Sequence, residues 1–229
     1  MIESTFLTHH IQKHIVSVLT YKEQARFSEL RPERVDTNLF SYHLKLLIRN
    51  GFIFKLENKN YTLTSDGLVY VDRVNSTTRT LRRQPKIITM LLIQNSDGEV
   101  LLQKRKKQPY INDWTLPYGK IQIDDRSIES AAKREALEKL NLQDPVVRHV
   151  GDCYIRVYAE GVILSTTFAH VFRYEVDKIF DDESILWVDP IKLGRYKLAP
   201  AVDQIISRSF FGDKHFFAEF EHELVTVTP

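Results

Sequence analysis

Cysteine is nearly absent: Cys153 is the only one in 229 residues. A lone thiol excludes a disulfide framework within the chain and a metal site built on cysteine pairs. Long apolar runs are missing as well. None approaches the roughly 20 residues of a membrane-spanning helix, and the longest, Ile87 to Ile93, reads as a buried strand. Residues 1–12 lack a basic stretch followed by an apolar one, so they do not read as a secretion signal. There is no internal repeat and no low-complexity tract. The expectation is a cytoplasmic protein without a membrane partner.

What is present is the mixture of a globular protein, 43% hydrophobic and 27% charged, with a net charge of +2. That small value hides an asymmetry. Residues 1–83 carry 13 Lys and Arg against 8 Asp and Glu, whereas the remainder is acidic by three charges. A basic first third suits a polyanionic partner.

The first strong helical periodicity runs from about Phe6 to Thr20, with Ile11, Ile15, Val18 and Leu19 on one stripe. A short helical segment follows at Arg26 to Leu30. The start signal Asp36-Thr37-Asn38 then opens a helix carrying Phe40, Leu44 and Leu47, which ends at Asn50-Gly51 in a left-handed cap. Phe52 to Lys55 and Tyr61 to Leu63 flank polar turn residues and read as a hairpin, and Thr64 to Gly67 opens another helix. Residues 76–86 are polar, basic and interrupted by Pro85, which marks a linker. Beyond it, strands are expected at Lys86–Gln94, Glu99–Lys104, Val146–Val157, Val162–Tyr174 and Ile185–Val188. Helices are expected at Ser127–Leu140 and Pro200–Phe210.

Three helices followed by a hairpin are the order of a winged helix-turn-helix. Ser41 to Gly67, SYHLKLLIRNGFIFKLENKNYTLTSDG, resembles the recognition helix and wing of ArsR/MarR-type regulators. With Phe40, Leu44 and Leu47 turned inward, Thr37, Asn38, Ser41, Tyr42 and Lys45 face outward where such a helix enters the major groove. Lys55 and Lys59 lie in the wing, within reach of phosphates or the minor groove. The resemblance implies double-stranded DNA as a partner. Leu46 and Ile48, outside the core stripe, are candidate contacts of a second subunit or of the downstream domain, and the aromatic Phe216, Phe217 and Phe220 are candidate contacts of a homodimer.

Asp113 to Leu142, DWTLPYGKIQIDDRSIESAAKREALEKLNL, resembles a Nudix box with its lead-in. Val100 to Arg105 resembles the strand before the box, and Leu186-Trp187-Val188 with Leu198-Ala199-Pro200 resembles the closing elements. The family pattern is Gly, five residues, Glu, seven residues, Arg-Glu-apolar, any residue, Glu-Glu, any residue, Gly-apolar. Here Gly119 is the loop glycine, Arg134-Glu135 the Arg-Glu pair, and Glu138 the first of the paired glutamates. Lys139 stands where the second glutamate belongs. Tyr118 replaces a preceding glycine, the loop is one residue longer, Asp125 (or Arg126, if the extra residue falls earlier) stands for the upstream Glu, and Asn141 replaces the final Gly. In the family this helix holds Mg²⁺ or Mn²⁺ against a diphosphate, through carboxylates that share a helix face. An ammonium at Lys139 cannot coordinate such an ion, although it pairs favourably with Glu135 four residues earlier.

The expected fold class is α+β: a winged helix-turn-helix at 1–75, a linker at 76–86, and a Nudix-like α/β/α sandwich with a mixed sheet at 87–229. The expected function is a transcriptional regulator whose impaired Nudix-like domain senses a phosphorylated, nucleotide-like metabolite. Known regulators that fuse a Nudix part to a winged helix carry the Nudix part first, the reverse of the order here. The implied ligand-binding residues are Arg105, Gly119, Lys120, Arg134, Glu135, Glu138 and Lys139. No metal site or cofactor is expected. The alternative is an active hydrolase of nucleoside diphosphate derivatives, with Glu135, Glu138 and Asp125 catalytic and a weakly held Mg²⁺.

Overall fold

The protein is described by a computed structural model covering residues 7–74, 84–210 and 215–224, except residues 144, 179 and 181. It divides into two compact units, Met1–Arg83 and Gln84–Pro229. Most of the expected linker, up to residue 83, lies outside the described residues, and Lys86, assigned to it from sequence, opens a strand. Among the described residues no helix is long and apolar enough to cross a membrane.

The first unit contains α1 (His10–Thr20), α2 (Phe27–Leu30), α3 (Thr37–Arg49), β1 (Ile53–Lys55), β2 (Tyr61–Leu63) and α4 (Ser65–Arg73). Ile11, Ile15 and Leu19 recur at four-residue spacing on α1 and bury against Phe40, Leu44 and Leu47 of α3. The first helix starts later than its periodicity predicts. His9 is extended, and its Nδ1 accepts the Ile11 N–H at 3.3 Å, which makes it the cap. Asp36 caps α3, its Oδ1 accepting from the Asn38 and Leu39 amides at 2.8 and 3.1 Å. Gly51, at φ +76°, follows the last turn of α3 in the left-handed conformation expected there. The chain then folds into the antiparallel β1–β2 hairpin, with Ile53 opposite Leu63. Ala25 forms a bridge to Tyr61 and anchors the hairpin on the helices.

The second unit is a mixed sheet between helices. Its strands are β3 (Lys86–Gln94), β4 (Val100–Lys104), β5 (Trp114–Thr115), β6 (Tyr118–Lys120), β7 (Arg148–Ala159), β8 (Val162–Glu175), β9 (Ile185–Val188) and β10 (Phe216–Leu224). Their order is β10-β7-β8-β3-β4-β5, with β6 also on β3 and β9 also on β4. The β3–β8 and β10–β7 pairs are parallel and the others antiparallel. Period-two alternation on β3 divides the core between the two faces. Ile88, Met90 and Leu92 pack toward α6 (Val202–Phe210), while Leu91 and Ile93 pack toward Ala132, Ala136 and Leu140 of α5 (Ile128–Leu140). A 3-10 helix at Pro190–Arg195 adds Leu193 to the first of these cores.

Phe216, Phe217 and Phe220, expected as candidate contacts of a homodimer, belong to a strand hydrogen-bonded in parallel to β7. Phe220 is buried and Phe216 packs on the same core, which leaves Phe217 as the exposed member.

Replacing Asp36 by Ala removes both cap hydrogen bonds at the start of α3. The expected result is a stability loss of about 0.5–2 kcal/mol, read as a lower urea midpoint at unchanged slope.

Candidate functional site

The site is assembled from β6, the loop after it, and α5. Ser127 caps α5, accepting the Ser130 amide at 3.0 Å, and Asn141 ends the helix in the left-handed conformation at φ +50°. Helical periodicity sets Glu135, Glu138 and Lys139 on one side, facing β6. There Gly119 leaves room for a carboxylate: a Cβ on it would lie 1.6 Å from the Glu135 carboxyl carbon and would displace that side chain. The Glu135 carboxylate rests directly on the glycine backbone and is only 5% exposed.

A buried carboxylate needs compensating charge. Both Glu135 oxygens have it: Oε1 accepts from Arg134 at 2.7 Å, and Oε2 lies 3.3 Å from the Lys139 ammonium. Arg134 also grips Asp125 with two parallel hydrogen bonds, Nε to Oδ1 and Nη2 to Oδ2, each 2.8 Å. The same guanidinium reaches the Lys120 carbonyl at 3.1 Å and Glu138 at 3.5 Å. Asp125 in turn accepts the Gln122 amide at 2.7 Å, so the lengthened loop is folded back onto the helix. The Arg134 guanidinium holds the Asp125 carboxyl well below its ordinary value, at about 2.

The two main departures from the family pattern are physically joined. The Lys139 ammonium donates to the Tyr118 carbonyl and lies 5.0 Å from the centre of the Tyr118 ring. From the other direction Arg105 donates to the Tyr118 hydroxyl, its guanidinium 5.3 Å from the same ring, and to the Pro109 carbonyl at 2.9 Å. Tyr118 therefore takes hydrogen bonds and cation–π contacts from two fixed cations.

Above these groups lies a cleft of about 470 Å³. Lys104, Arg105, Lys106, Lys107 and Lys139 line it, against the carboxylates of Glu135 and Glu138. Of the residues expected to bind ligand, Arg105, Gly119, Glu135, Glu138 and Lys139 thus come together. Lys120 contributes its carbonyl to Arg134 and does not line the cleft, and Arg134 and Asp125 are occupied with each other beside it. Lys104 was not among the expected ligand residues, and the basic run Arg105-Lys106-Lys107, a candidate for phosphate binding, reads from sequence more readily as a solvated turn.

Mg²⁺ or Mn²⁺, the ions implied by the box, do not fit these residues. Both oxygens of Glu135 and both of Asp125 are taken by cationic side chains, and Lys139 holds a fixed positive charge beside Glu135. At an effective dielectric near 20, one ammonium opposing a divalent ion at about 4–5 Å costs on the order of several kcal/mol. Cys153 offers no alternative nucleophile, because burial pushes its thiol up to about 12.

In the first unit Thr37, Asn38, Tyr42 and Lys45 are exposed on α3, and Ser41 is half-buried. The Thr37 hydroxyl accepts from Arg31 at 2.6 Å. Lys55 and Lys59 are exposed in the hairpin, with Lys59 at φ +66° in its turn. His43 is buried and stacks on His9, with ring centroids 3.7 Å apart. Leu46 is half-buried and Ile48 exposed.

A mixed sheet with helices on both faces, and a glycine loop running into a helix that carries Arg-Glu, defines the class of the second unit. Residues 84–209 match the NUDIX domain family, more than half of the chain, and the chain belongs to that family. Among solved structures it is similar to the NUDIX domain of Shewanella oneidensis NrtR complexed with ADP ribose. The identity is 16% and the TM-score 0.49, over 65% of this chain and 97% of that one. It is also similar to a MutT protein from Bacillus halodurans, at 20% identity and TM-score 0.48, over 59% of this chain and 89% of that one. For a second structure of Shewanella oneidensis NrtR the values are 18% and 0.46, over 54% of this chain and 60% of that one.

The Asp125–Arg134 pair makes stability depend on pH. Because the folded carboxyl titrates near 2 and an unfolded Asp near about 3.9, its contribution is present above about pH 4 and disappears as the pH falls through 2. The melting temperature of Asp125→Asn should lie below that of the unmodified protein at pH 6. The gap should close progressively between about pH 4 and pH 2.

Proposed function

We propose that this protein is a cytoplasmic, DNA-binding regulator whose Nudix domain senses a phosphorylated, nucleotide-like metabolite without hydrolysing it. The observation that carries this reading is the position of Lys139. Its ammonium joins Glu135 to the Tyr118 carbonyl at the floor of the cleft, where the family pattern would have a glutamate. A cleft with five cations and two carboxylates favours a polyanion, and phosphate oxygens match the donors of Arg105 and the lysines. With cation and carboxylate already neutralising each other, the cleft keeps its form without metal. Such a site retains affinity for a diphosphate while lacking the means to activate water.

On this reading the first unit supplies the DNA contacts, from Asn38, Ser41, Tyr42 and Lys45 on α3 and from Lys55 and Lys59 in the hairpin. On the same reading Thr37, whose hydroxyl accepts from Arg31, joins that arginine in a phosphate contact. The protein acts as a homodimer, since half-sites one helical turn apart need two reading heads. A metabolite changes DNA occupancy to the extent that it binds the two functional states with different affinity.

Thermal-shift titration with nucleoside diphosphate derivatives tests the ligand half. Stabilisation should appear in EDTA and should not require Mg²⁺. Lys139→Glu should acquire Mn²⁺ binding that the unmodified protein lacks. Turnover of the same compounds by the unmodified protein at about 1 per second or faster, in the range of ordinary enzymes, would overturn the sensor reading in favour of the hydrolase.

The DNA half is tested by the salt dependence of binding to genomic fragments. Replacing Lys45 and Lys59 together by Ala should weaken binding and flatten the slope of log K against log salt by about 0.9 for each phosphate no longer neutralised. Absence of binding by the unmodified protein at low salt would refute it.

A further inference from the structure

On the sheet, away from the residues lining the basic cleft, three imidazoles surround one carboxylate. The Asp152 Oδ1 lies 2.9 Å from His149 Nε2 and 2.6 Å from His170 Nδ1, and its Oδ2 lies 3.2 Å from His215 Nε2. These four residues come from three places in the chain, β7, β8 and the residue just before β10, and a local irregularity makes their meeting possible. On a regular strand His149 and Asp152, three residues apart, would point to opposite faces. The β7–β8 register slips between His149 and Gly151, and Val150 and Gly151 are buried in succession. That bulge adds one residue and returns both side chains to the same face. His170 is the cross-strand partner of Asp152. Gly151 is the partner of Phe216, whose ring sits where a Cβ on Gly151 would be, 2.3 Å away, and this packing brings the adjacent His215 to the carboxylate.

We propose that His149, Asp152 and His215 bind a divalent transition ion of the zinc class, with His170 as the positioning residue of the carboxylate. Ligand atoms from these three residues all lie within 4.8 Å of one another. Zinc bonds of about 2.0–2.2 Å in a tetrahedron place neighbouring ligand atoms about 3.4 Å apart. The Asp152 carboxylate reaches His149 through Oδ1 at 2.9 Å and His215 through Oδ2 at 3.2 Å, and His149 Nε2 also lies 3.1 Å from the Gly151 carbonyl, so ion binding would replace these contacts, with one carboxylate oxygen as the third ligand. Imidazole nitrogen with carboxylate oxygen is a donor set for Zn²⁺ and its neighbours, not for Mg²⁺. The His170 Nδ1–H bond to Oδ1 does what outer hydrogen bonds do at such centres: it fixes the orientation of a ligating carboxylate. His149 and His215 are more than one-third exposed, so an ion has a way in and water can complete the coordination. The consequence is mechanical. The ion would clip the start of β10 to β7, joining the edge strand to the sheet through side chains as well as through the backbone ladder.

The test uses the full chain without an affinity tag, titrated with Zn²⁺ against a chromophoric chelator, and with Co²⁺ for its visible absorption. One ion per chain should bind and raise the melting temperature. His215→Ala, at an exposed ring, should leave the metal-free melting temperature nearly unchanged and lower affinity by more than about a hundredfold. His149→Asn should do the same if His215→Ala misfolds. His170→Gln should cost about 10–100-fold, the range of orienting partners. His10→Ala should change nothing; it controls for the His9, His10 and His43 rings grouped in the first unit. Stoichiometric binding absent from the unmodified protein, undiminished in His215→Ala, or abolished in His10→Ala would overturn the assignment.

Discussion

Arg134 places one guanidinium among three carboxylates, and the architecture of the cleft depends on that contact. Its paired hydrogen bonds draw Asp125, and with it the whole loop after β6, against α5. Its third bond sets the Glu135 carboxylate on Gly119, in the space that a side chain there would fill. Lys139 then completes the neutralisation from the far side. Remove the guanidinium and a nearly buried carboxylate loses its main counter-charge, an arrangement whose cost is typically several kcal/mol. A helix–loop junction of the kind that elsewhere organises a metal is thus held together by an internal salt network.

Much of this arrangement was legible in the sequence. The Asp36 cap, the left-handed positions at Gly51 and Asn141, and the stripe Phe40-Leu44-Leu47 follow from local chemistry, and each appears where expected. The meeting of Glu135 with Lys139 follows from helical spacing alone. Other features depend on contacts that periodicity does not report. The entry helix begins at His10 because the His9 ring caps it, although the apolar pattern reads as starting earlier. Nothing in the run Arg105-Lys106-Lys107 separates a cleft wall from a solvated turn; pairing of β4 with β5 and β9 decides it.

The aromatic segment 216–220 and the histidines were illegible for a related reason. A strand of alternating Phe and Glu declares two faces but not its partner, and parallel pairing with β7 is a long-range event. The histidine cluster is hidden further by parity. His149 and Asp152 read as opposite-facing neighbours until the bulge at Val150 realigns them, and His170 and His215 reach them through strand register, not through sequence spacing.

The alternation along β10 has one more consequence, for self-association. Ala218 and Phe220 turn inward, while Glu219, Glu221 and Glu223 are all exposed along the last strand of the sheet's path. Exposed strand edges are templates for another chain, and a row of like charge is one way to blunt them. Antiparallel addition of a second copy across a two-fold axis would bring this row of glutamates against itself. The row of glutamates thereby works against continuous β-extension at this margin of the sheet, although Arg156 pairs with Glu221 within it.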